Sequence, residues 1–402
     1  MIHSFSCKNF YSFSDLVTVN FAVNDKAPDN DGYFRAPSGN RLSKIETVIG
    51  PNASGKTNLL KVLPFLKWLI VDSFVTNPTE PLPIKPFLFG ESKKQPSELL
   101  VDFEIAENIY TYRFVLNDKK ILIEELKVRS KSDQKVTTKK LFIREWNEQT
   151  GSYSFESKSF NLPKEFPLRD NASIISTAIR LSHKESQDIV GFWQKVATNV
   201  VEPGWVGDWL LRAGSQQLLE ALDFFSDGQN ETLKKAAEKL LSRFDLGLES
   251  FSIKKEKKEN SVSINVQVAH SFCGQTEYLP MQYESSGTKQ LFVLLKTILL
   301  VLNKGGVAVL DEFDVNLHPE MVRALYELFI QSETNPNNAQ MLFSTHSHMI
   351  LSRLDKYQIV LIEKNEKGAS ESWRLDEVAG VRADDNYYAK YIAGAYGAFP
   401  KF

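Results

Sequence analysis

The sequence predicts an α/β fold that combines a sheet of buried strands with an antiparallel β lobe in its N-terminal part and a helical insertion. Three observations lead to this prediction. Short strand-like runs, Ile45–Ile49 and the apolar Val307–Leu310, each end in a polar turn, as buried strands of α/β proteins do. Longer runs rich in β-branched and aromatic residues occupy residues 99–128. Apolar residues at helical spacing dominate residues 173–246.

The elements follow in order along the chain. Two paired strands are expected in the first 23 residues, followed by a polar loop and the strand Ile45–Ile49. The helix after that strand should end or kink about two turns in, at Pro64, because proline lacks the N–H that an internal helical residue donates. An antiparallel meander is predicted over three runs: residues 99–105, 110–116 and 120–128. We divide the chain into an N-terminal part, a helical insertion and a C-terminal part: residues 1–172, 173–250 and 251–402.

Composition narrows the class of protein. Its 402 residues suffice for two or three cores, or for one large domain with an insertion. Lys plus Arg total 48 against 50 for Asp plus Glu, so the overall charge does not indicate a surface dedicated to nucleic acid, although a local basic stripe is allowed.

Cys7 and Cys273 lack metal-ligand spacing and predict two reduced, buried thiols in a cytoplasmic protein. Residues 291–302 contain Lys296 and fall short of the roughly 18 residues of a membrane span, so we expect a buried helix and no membrane.

A loop of sequence GPNASGKT follows the strand Ile45–Ile49 and precedes a helix. It fits G-x-x-x-x-G-K-[ST], in which glycines let backbone N–H groups face an anion and the helix N-terminus adds partial positive charge. Lys56 can reach the β- and γ-phosphates of a nucleotide, and the Thr57 hydroxyl can bind Mg²⁺. The loop therefore predicts a P-loop NTPase that binds ATP with Mg²⁺ at these residues: Gly50, Pro51, Asn52, Ala53, Ser54, Gly55, Lys56, Thr57 and Asn58.

Two further apolar strands end in residues that can act on a nucleotide. Val307–Leu310 is followed by Asp311, placed to organise Mg²⁺, and by Glu312, which can take a proton from the attacking water. The run MLFSTHS ends in His346, which can sense the γ-phosphate or hold the attacking water. Because one crossover helix over residues 319–331 fits between them, the two strands can lie parallel in one sheet.

The stretch ESSGTKQL presents Ser285, Ser286 and Gly287 just before a helix expected to begin near Thr288. Small hydroxyl residues and glycine at a helix N-terminus form a second anion-binding site. One phosphate chain does not need two such sites from one subunit. We therefore expect a homodimer or higher homo-oligomer, in which each copy offers this serine turn to the γ-phosphate bound at the P-loop of the other.

The motifs together resemble the ABC-class ATPase heads of the SMC and RecF type. In that comparison the P-loop is the Walker A motif, Val307 to Glu312 the Walker B motif, ESSGTKQ the signature motif and His346 the switch histidine. The resemblance also implies that Asp314, in the D-loop, contacts the nucleotide. The opening KNFYSFSD is similar to the start of those heads, but Tyr11 stands where they often carry Arg or Lys. A phosphate contact from that position is therefore not implied.

A narrower resemblance covers most of the chain and rests on PFLFGESKKQPSELLVDFEI, NASIISTAIRL and the tail YIAGAYGAFPKF. These segments are similar to a bacterial subfamily of AAA/ABC-like ATPases of the RloA type and, more distantly, of the AriA type. Members often lie beside a nuclease or a toxin-like effector in anti-phage modules. The resemblance implies an ATP-driven switch that controls an effector protein encoded nearby.

Three other functions compete with that interpretation. The basic runs at residues 129–140 and 254–260 would suit a RecF-like repair ATPase that binds DNA directly. An in-chain nuclease would need a metal-binding carboxylate cluster, and the polar stretch 376–385 holds acidic residues without the apolar strands that would aim them at a metal. An ATPase subunit of a membrane transporter fits less well, because the strand-rich N-terminal half and the tail resemble SMC-type heads.

The aromatic and small residues of the tail, 387–402, predict a segment that docks on the head and seals its core. The alternative is a surface that binds a partner.

Overall fold

The computed structural model describes residues 1–132, 135–163, 165–200, 215–244, 248–258 and 261–400. In chain order its strands are β1 (Ile2–Lys8), β2 (Val17–Asn20), β3 (Tyr33–Arg35), β4 (Arg41–Ser43), β5 (Ile45–Ile49), β6 (Ser97–Ile105), β7 (Asn108–Leu116), β8 (Ile121–Ser132), β9 (Lys135–Asn147), β10 (Ser152–Glu156), β11 (Val196–Thr198), β12 (Leu248–Lys258), β13 (Ser261–Phe272), β14 (Gln275–Pro280), β15 (Val307–Leu310), β16 (Gln340–Ser344), β17 (Ile359–Lys364) and β18 (Ser370–Arg374). Its helices are α1 (Lys56–Leu60), α2 (Val62–Val71), α3 (Ile174–Arg180), α4 (Lys184–Trp193), α5 (Ser215–Ser226), α6 (Glu231–Phe244), α7 (Ser286–Lys304), α8 (Pro319–Ile330) and α9 (Tyr387–Ile392). The predicted α/β fold is confirmed.

A six-stranded central sheet has the order β11-β15-β16-β5-β17-β18. All of its strands are parallel to their neighbours except β18, which pairs antiparallel with β17 at one edge. The strands β5 and β15 have the predicted bounds and are buried along their whole length. Side chains alternate along β5 and contribute to two hydrophobic cores on opposite faces of the sheet. Val48 belongs to the first core, and Ile45 and Ile49 belong to the second core.

The antiparallel lobe is a seven-stranded sheet of order β10-β9-β8-β7-β6-β1-β2. Its pairings are antiparallel throughout, as the predicted meander requires. Alternation places Leu99, Val101 and Phe103 of β6 in the first core, which this lobe shares with α2 and the central sheet. The N-terminal strand β1 lies between β6 and the edge strand β2.

Residues 173–250 contain α3 to α6, and α6 shows the predicted amphipathic pattern with Ala237 and Leu241 buried. Strand β11 also lies in this range and pairs in parallel with β15, Val196 opposite Val307. Within this range the helices α5 and α6 pack in the second core together with α7. The division into three parts at residues 172 and 250 stays a prediction.

The helix after the P-loop breaks earlier than Pro64 itself. It ends at Leu60, passes through Lys61, and resumes at Val62 as α2. The proline ring would clash with the carbonyl four residues before it and cannot donate to that carbonyl, so the break falls one turn upstream. Helix α7 is mostly buried, as predicted, and no helix of the described part of the chain is both long and apolar enough to cross a membrane.

The tail packs on the head, as the core-sealing interpretation requires. Tyr391 and Ala398 are fully buried in the second core, and the Tyr391 hydroxyl donates to the Ala398 carbonyl at 2.7 Å. The Tyr391 ring also lies 5.0 Å from that of His348.

One prediction about the cysteines is wrong. Cys7 is buried, and burial raises the pKa of its thiol, but Cys273 is exposed. Cys273 occupies the turn between β13 and β14 with a φ of 51°, where no core covers it.

Candidate functional site

The P-loop runs from the end of β5 to the start of α1, and its two glycines are required by space and by backbone conformation. A Cβ atom on Gly50 would overlap the carbonyl oxygen of Ile362. Gly55 has a φ of +114°, and a Cβ there would overlap the Ser370 hydroxyl. The loop is therefore wedged against β17 and β18.

Lys56 begins α1 and points its ammonium group back over the loop. Its Nζ donates to the carbonyls of Gly50 at 2.9 Å and Pro51 at 3.0 Å. Burial lowers the pKa of Lys56, and three carboxylates act in the opposite direction: Asp311, Glu312 and Asp314. The ammonium is thus held beside the loop and within the electrostatic reach of the acidic residues.

Asp311 and Glu312 follow β15 and are held by neighbours on both sides. The Ser344 hydroxyl donates to Asp311 Oδ1 at 2.5 Å and accepts from the Glu312 backbone N–H at 2.8 Å. On the other side the Asn199 amide accepts from the Asp311 N–H at 2.7 Å and donates to its carbonyl at 2.9 Å. Glu312 has a φ of 47°, so this turn departs from the extended strand at the acidic pair itself.

His346 follows β16 and faces the acidic pair. Its backbone N–H lies 3.2 Å from both carboxylate oxygens of Asp314, and its Nε2 lies 3.8 Å from Glu312 Oε1. The His346 side chain is 40% exposed and that of Glu312 is 58% exposed, so both can meet a ligand. Asp314 therefore positions the histidine backbone in this structure.

These segments line one cavity of about 830 Å³. Its walls are Asn52, Ala53, Gly55, Lys56, Thr57, Asn58, Asp311, Glu312, His346 and Lys364. Of the other predicted P-loop residues, Gly50 and Ser54 are buried and Pro51 is half-buried. The structure thus brings the loop, the acidic pair and the histidine together.

The serine turn lies elsewhere: within the described ranges it does not line this cavity. Ser285 is the N-cap of α7, and its hydroxyl accepts from the Thr288 N–H at 3.0 Å. The helix begins at Ser286, two residues before the predicted start, because the cap is the first serine. A Cβ on Gly287 would lie 2.8 Å from the Asn316 carbonyl oxygen, so the turn packs against the segment 314–318 of its own chain.

The donor set of the cavity fits a nucleotide with Mg²⁺. The Thr57 hydroxyl and the Asp311 carboxylate would supply two oxygen ligands, which suits an ion that takes its remaining ligands from phosphates and water. Among the described residues no group of three or more His, Cys, Asp or Glu is placed to bind a metal. Two of the acidic residues in the stretch 376–385 form ion pairs, Asp376 with Arg374 and Asp385 with Lys390, each at 2.6 Å.

Sequence reasoning missed several residues that shape the site. Ser12 accepts from the Asn58 amide at 3.0 Å, and Ser370 donates to the Ser54 carbonyl at 2.5 Å. Asn199 and Ser344 hold the acidic pair. Of these, only Ser344 has a signal in the sequence, since it is a hydroxyl residue that directly follows the apolar residues 341–343.

Tyr11 stands where the ATPase heads that the sequence resembles often carry Arg or Lys. Two lysine ammonium groups lie near its ring. The Nζ atoms of Lys61 and Lys85 are 4.4 Å and 5.9 Å from the centre of its ring. Positive charge therefore reaches this position from two other elements.

Comparison with known proteins gives one family. Residues 47–352 match the family model described as "AAA domain, putative AbiEii toxin, Type IV TA system". No curated protein matches the chain.

Several solved structures are similar to the chain. An SMC head bound to the C-terminal winged-helix domain of ScpA is 13% identical, with a TM-score of 0.49, over 94% of this chain and 99% of that one. The SMC head domain of Thermotoga maritima is 13% identical, with a TM-score of 0.41, over 93% and 98%. An SMC head with a coiled coil and joint from Pyrococcus yayanosii is 11% identical, with a TM-score of 0.45, over 98% and 99%.

Proposed function

The chain belongs to the AAA-domain family whose model it matches over residues 47–352, and on that premise we propose that it is an ATP-hydrolysing switch. In this proposal ATP and Mg²⁺ bind at the P-loop, and two copies close around the nucleotides. Hydrolysis reopens the pair, and an effector protein responds to the closed or the open state. Each ATP acts through its higher affinity for the closed form.

The position of the serine turn carries the proposal. The P-loop, the acidic pair and His346 line one cavity, while Ser285 to Gly287 form the cap and the start of α7 beside the segment 314–318 of the same chain. A helix N-terminus of small residues can bind anions, yet the residues of this one do not line the P-loop cavity of their own chain. A second copy that faces the cavity would place its turn at the γ-phosphate.

The residues of the cavity have distinct roles in the proposed hydrolysis. Lys56 would pair with the β- and γ-phosphates, and Thr57 and Asp311 would hold Mg²⁺, which neutralises charge on the transferred group. Glu312, exposed and turned into the cavity, would accept the proton of the attacking water. His346, with its Nε2 3.8 Å from Glu312, would hold that water or sense the γ-phosphate.

Control of an effector is the finer part of the proposal. It is supported by the resemblance to anti-phage ATPases and by the family description, which names a toxin of a toxin–antitoxin system. We propose that a nuclease or toxin encoded nearby is the partner. Co-purification with ATP present, from cells that carry the neighbouring genes, would identify it; a protein recovered equally well with the Lys56→Ala variant would not be controlled by nucleotide.

Trapping the closed pair tests the switch. Glu312→Gln should keep ATP binding, slow turnover by about 10² or more and accumulate a dimer when ATP and Mg²⁺ are added, as measured by light scattering after gel filtration. Adding Ser286→Arg should restore the monomer, because a large cation would fill the helix start that meets the second nucleotide. Ser242→Arg, the same change on the exposed surface of α6, is the control and should leave the dimer intact.

A parent enzyme whose specific ATPase rate is independent of protein concentration, together with a monomeric Glu312→Gln variant in saturating ATP, would refute the two-copy site. So would a Ser286→Arg single variant that hydrolyses ATP as the parent does.

Direct DNA binding is the second candidate. The basic run at residues 129–140 falls on the β8–β9 hairpin, where Lys139 and Lys140 are exposed. Lys140 lies 3.6 Å from a carboxylate oxygen of Glu125, which partly offsets its charge. Residues 133, 134, 259 and 260 lie outside the described residues, as do the side chains of 131, 132, 135 and 255–258.

A duplex affinity that falls steeply with salt, and is lost when Lys135, Lys139 and Lys140 are changed to Glu, would favour the DNA-binding function. An unchanged affinity in that triple variant would remove the hairpin as the DNA site.

A further inference from the structure

Lys364 lines the nucleotide cavity but belongs to none of the motifs. It is the last residue of β17, which pairs in parallel with β5, the strand that leads into the P-loop. The carboxyl ends of parallel neighbours lie at the same edge of a sheet, so Lys364 and the P-loop emerge side by side.

The hairpin that carries Lys364 is hydrogen-bonded to the P-loop and to Ser12 beside it. Ser370, the first residue of β18, donates its hydroxyl to the Ser54 carbonyl at 2.5 Å and its N–H to the Ser12 carbonyl at 2.7 Å. Ser12 in turn accepts from Asn58 of α1 at 3.0 Å. Because Gly55 leaves no room for a Cβ against Ser370, the hairpin and the loop are in contact along this side. The lysine therefore has a defined position relative to the phosphate-binding loop.

The ammonium group itself is exposed at the wall of the cavity. Its Nζ donates to the Gly368 carbonyl across the hairpin at 2.8 Å. An ammonium carries three N–H donors, so this bond leaves two for a ligand. Gly368, with a φ of 75°, closes the turn that brings its carbonyl under the lysine.

The order of strands in the central sheet indicates which end of a bound nucleotide would lie near Lys364. Asp311 and Glu312 follow β15, and His346 follows β16; both strands lie on one side of β5, while β17 lies on the other. In the proposed site the γ-phosphate and Mg²⁺ face the acidic pair. The opposite end of the polyphosphate therefore runs toward β17.

We propose that Lys364 binds the α-phosphate end of the nucleotide, the part that ATP and ADP share. This inference rests on the proposed function, because it needs a nucleotide in the P-loop cavity. Lys364 is a binding residue that strengthens ATP and ADP equally and takes no part in the cleavage of the γ-phosphate.

Calorimetric titration with ATP and with ADP, each with Mg²⁺, tests the inference. Lys364→Met and Lys364→Gln should weaken both nucleotides by about fivefold to tenfold, the loss of one exposed charge-assisted contact, and Lys364→Arg should retain most of the affinity. KM for ATP should rise by the same factor with kcat unchanged, since binding is lost equally in the ground and transition states. Lys367→Met, an exposed lysine on the same hairpin, is the matched control and should bind as the parent does.

Glutamine separates the phosphate contact from the hairpin bond, because its amide can still donate to the Gly368 carbonyl. If the Gln variant binds as the parent does while the Met variant is weak, the lysine merely supports the hairpin and the inference is wrong. Equal losses in Lys364→Met and Lys367→Met, or a fall in kcat at constant KM, would also overturn it. If the parent and the Lys364→Met variant bind both nucleotides equally well, this inference is wrong but the proposed function stands. If the parent binds neither nucleotide, the proposed function is wrong as well.

Discussion

Ser344→Ala should uncouple the acidic pair from the rest of the site. Ser344 is fully buried, and its hydroxyl bonds both members of the pair, as donor to the Asp311 carboxylate at 2.5 Å and as acceptor from the Glu312 N–H at 2.8 Å. A hydrogen bond to a charged group contributes about 1.5–3 kcal/mol and a neutral one about 1 kcal/mol. Because Asp311 is only half-buried and water can replace part of the loss, we expect the free energy of unfolding to fall by about 2 kcal/mol.

Activity should fall more than stability. A misplacement of about 1 Å in a catalytic group can cost up to about 10² in rate, so we expect kcat to drop by roughly tenfold to a hundredfold. ATP affinity should stay within about threefold of the parent, because the P-loop contacts are untouched.

Steady-state ATPase kinetics and thermal unfolding measure the two effects, the latter as a fall of about 2–4 °C in Tm. Ser352→Ala, an exposed serine whose hydroxyl bonds only a local carbonyl, is the control. A Ser344→Ala variant with the kcat and the Tm of the parent would refute the view that this hydroxyl positions the acidic pair.

Three further changes have definite expected outcomes. Lys56→Ala should abolish ATP binding in calorimetry while leaving Tm without nucleotide nearly unchanged; heat of binding equal to that of the parent would contradict the assignment. Glu46→Gln should stabilise the protein at neutral pH, because burial raises the pKa of Glu46 and folding above the ordinary glutamate pKa of about 4.3 must take up a proton. The gain in free energy of unfolding over the parent should grow as the pH rises above about 4.3 and vanish below it. A gain that denaturant titrations show to be independent of pH would contradict this cause. Deletion of residues 393–402 should make the protein insoluble, because Ala398 and Tyr396 are buried in the second core; a soluble, fully active variant that loses a partner would instead mark the tail as a binding surface.

Strand β15 could be predicted to the residue because it is apolar along its whole length and ends in a polar turn, and strand β5 because it leads directly into the P-loop motif, although it contains Glu46 and Thr47. Strand β11 could not, since three residues within a helical stretch, Val196 to Thr198, carry no periodicity of their own. It forms by pairing with β15, Val196 opposite Val307, a contact between residues that are far apart in the sequence. The start of α7 was misplaced because two serines compete for the cap, and only the backbone of Ser285 is extended.

The residues of the site also divide into those that the sequence predicts and those that it does not. Residues that carry their chemistry in a local motif, such as Lys56 and Glu312, could be predicted from the sequence to line a common cavity, although their roles remain proposals. Residues that act by position could not be found in the same way. Asn199 lies more than a hundred residues before Asp311, and Lys364 ends a strand with no motif around it. Such contacts depend on the order of strands in the sheet, which a single sequence does not specify.

The sheet order also bears on the two-copy site. Helix α7 ends at Lys304, where Gly305 in the left-handed conformation turns the chain directly into β15. A helix that leads into a parallel strand by so short a turn runs antiparallel to it, so the N-terminus of α7 lies at the sheet edge where β15 ends in Asp311. The close approach of Gly287 to Asn316, just past the acidic pair, agrees with this placement. The serine turn thus shares an edge with the cavity yet stands beside it, which is the arrangement in which a second copy, facing this edge about a two-fold axis, could set its own turn against the first copy's nucleotide.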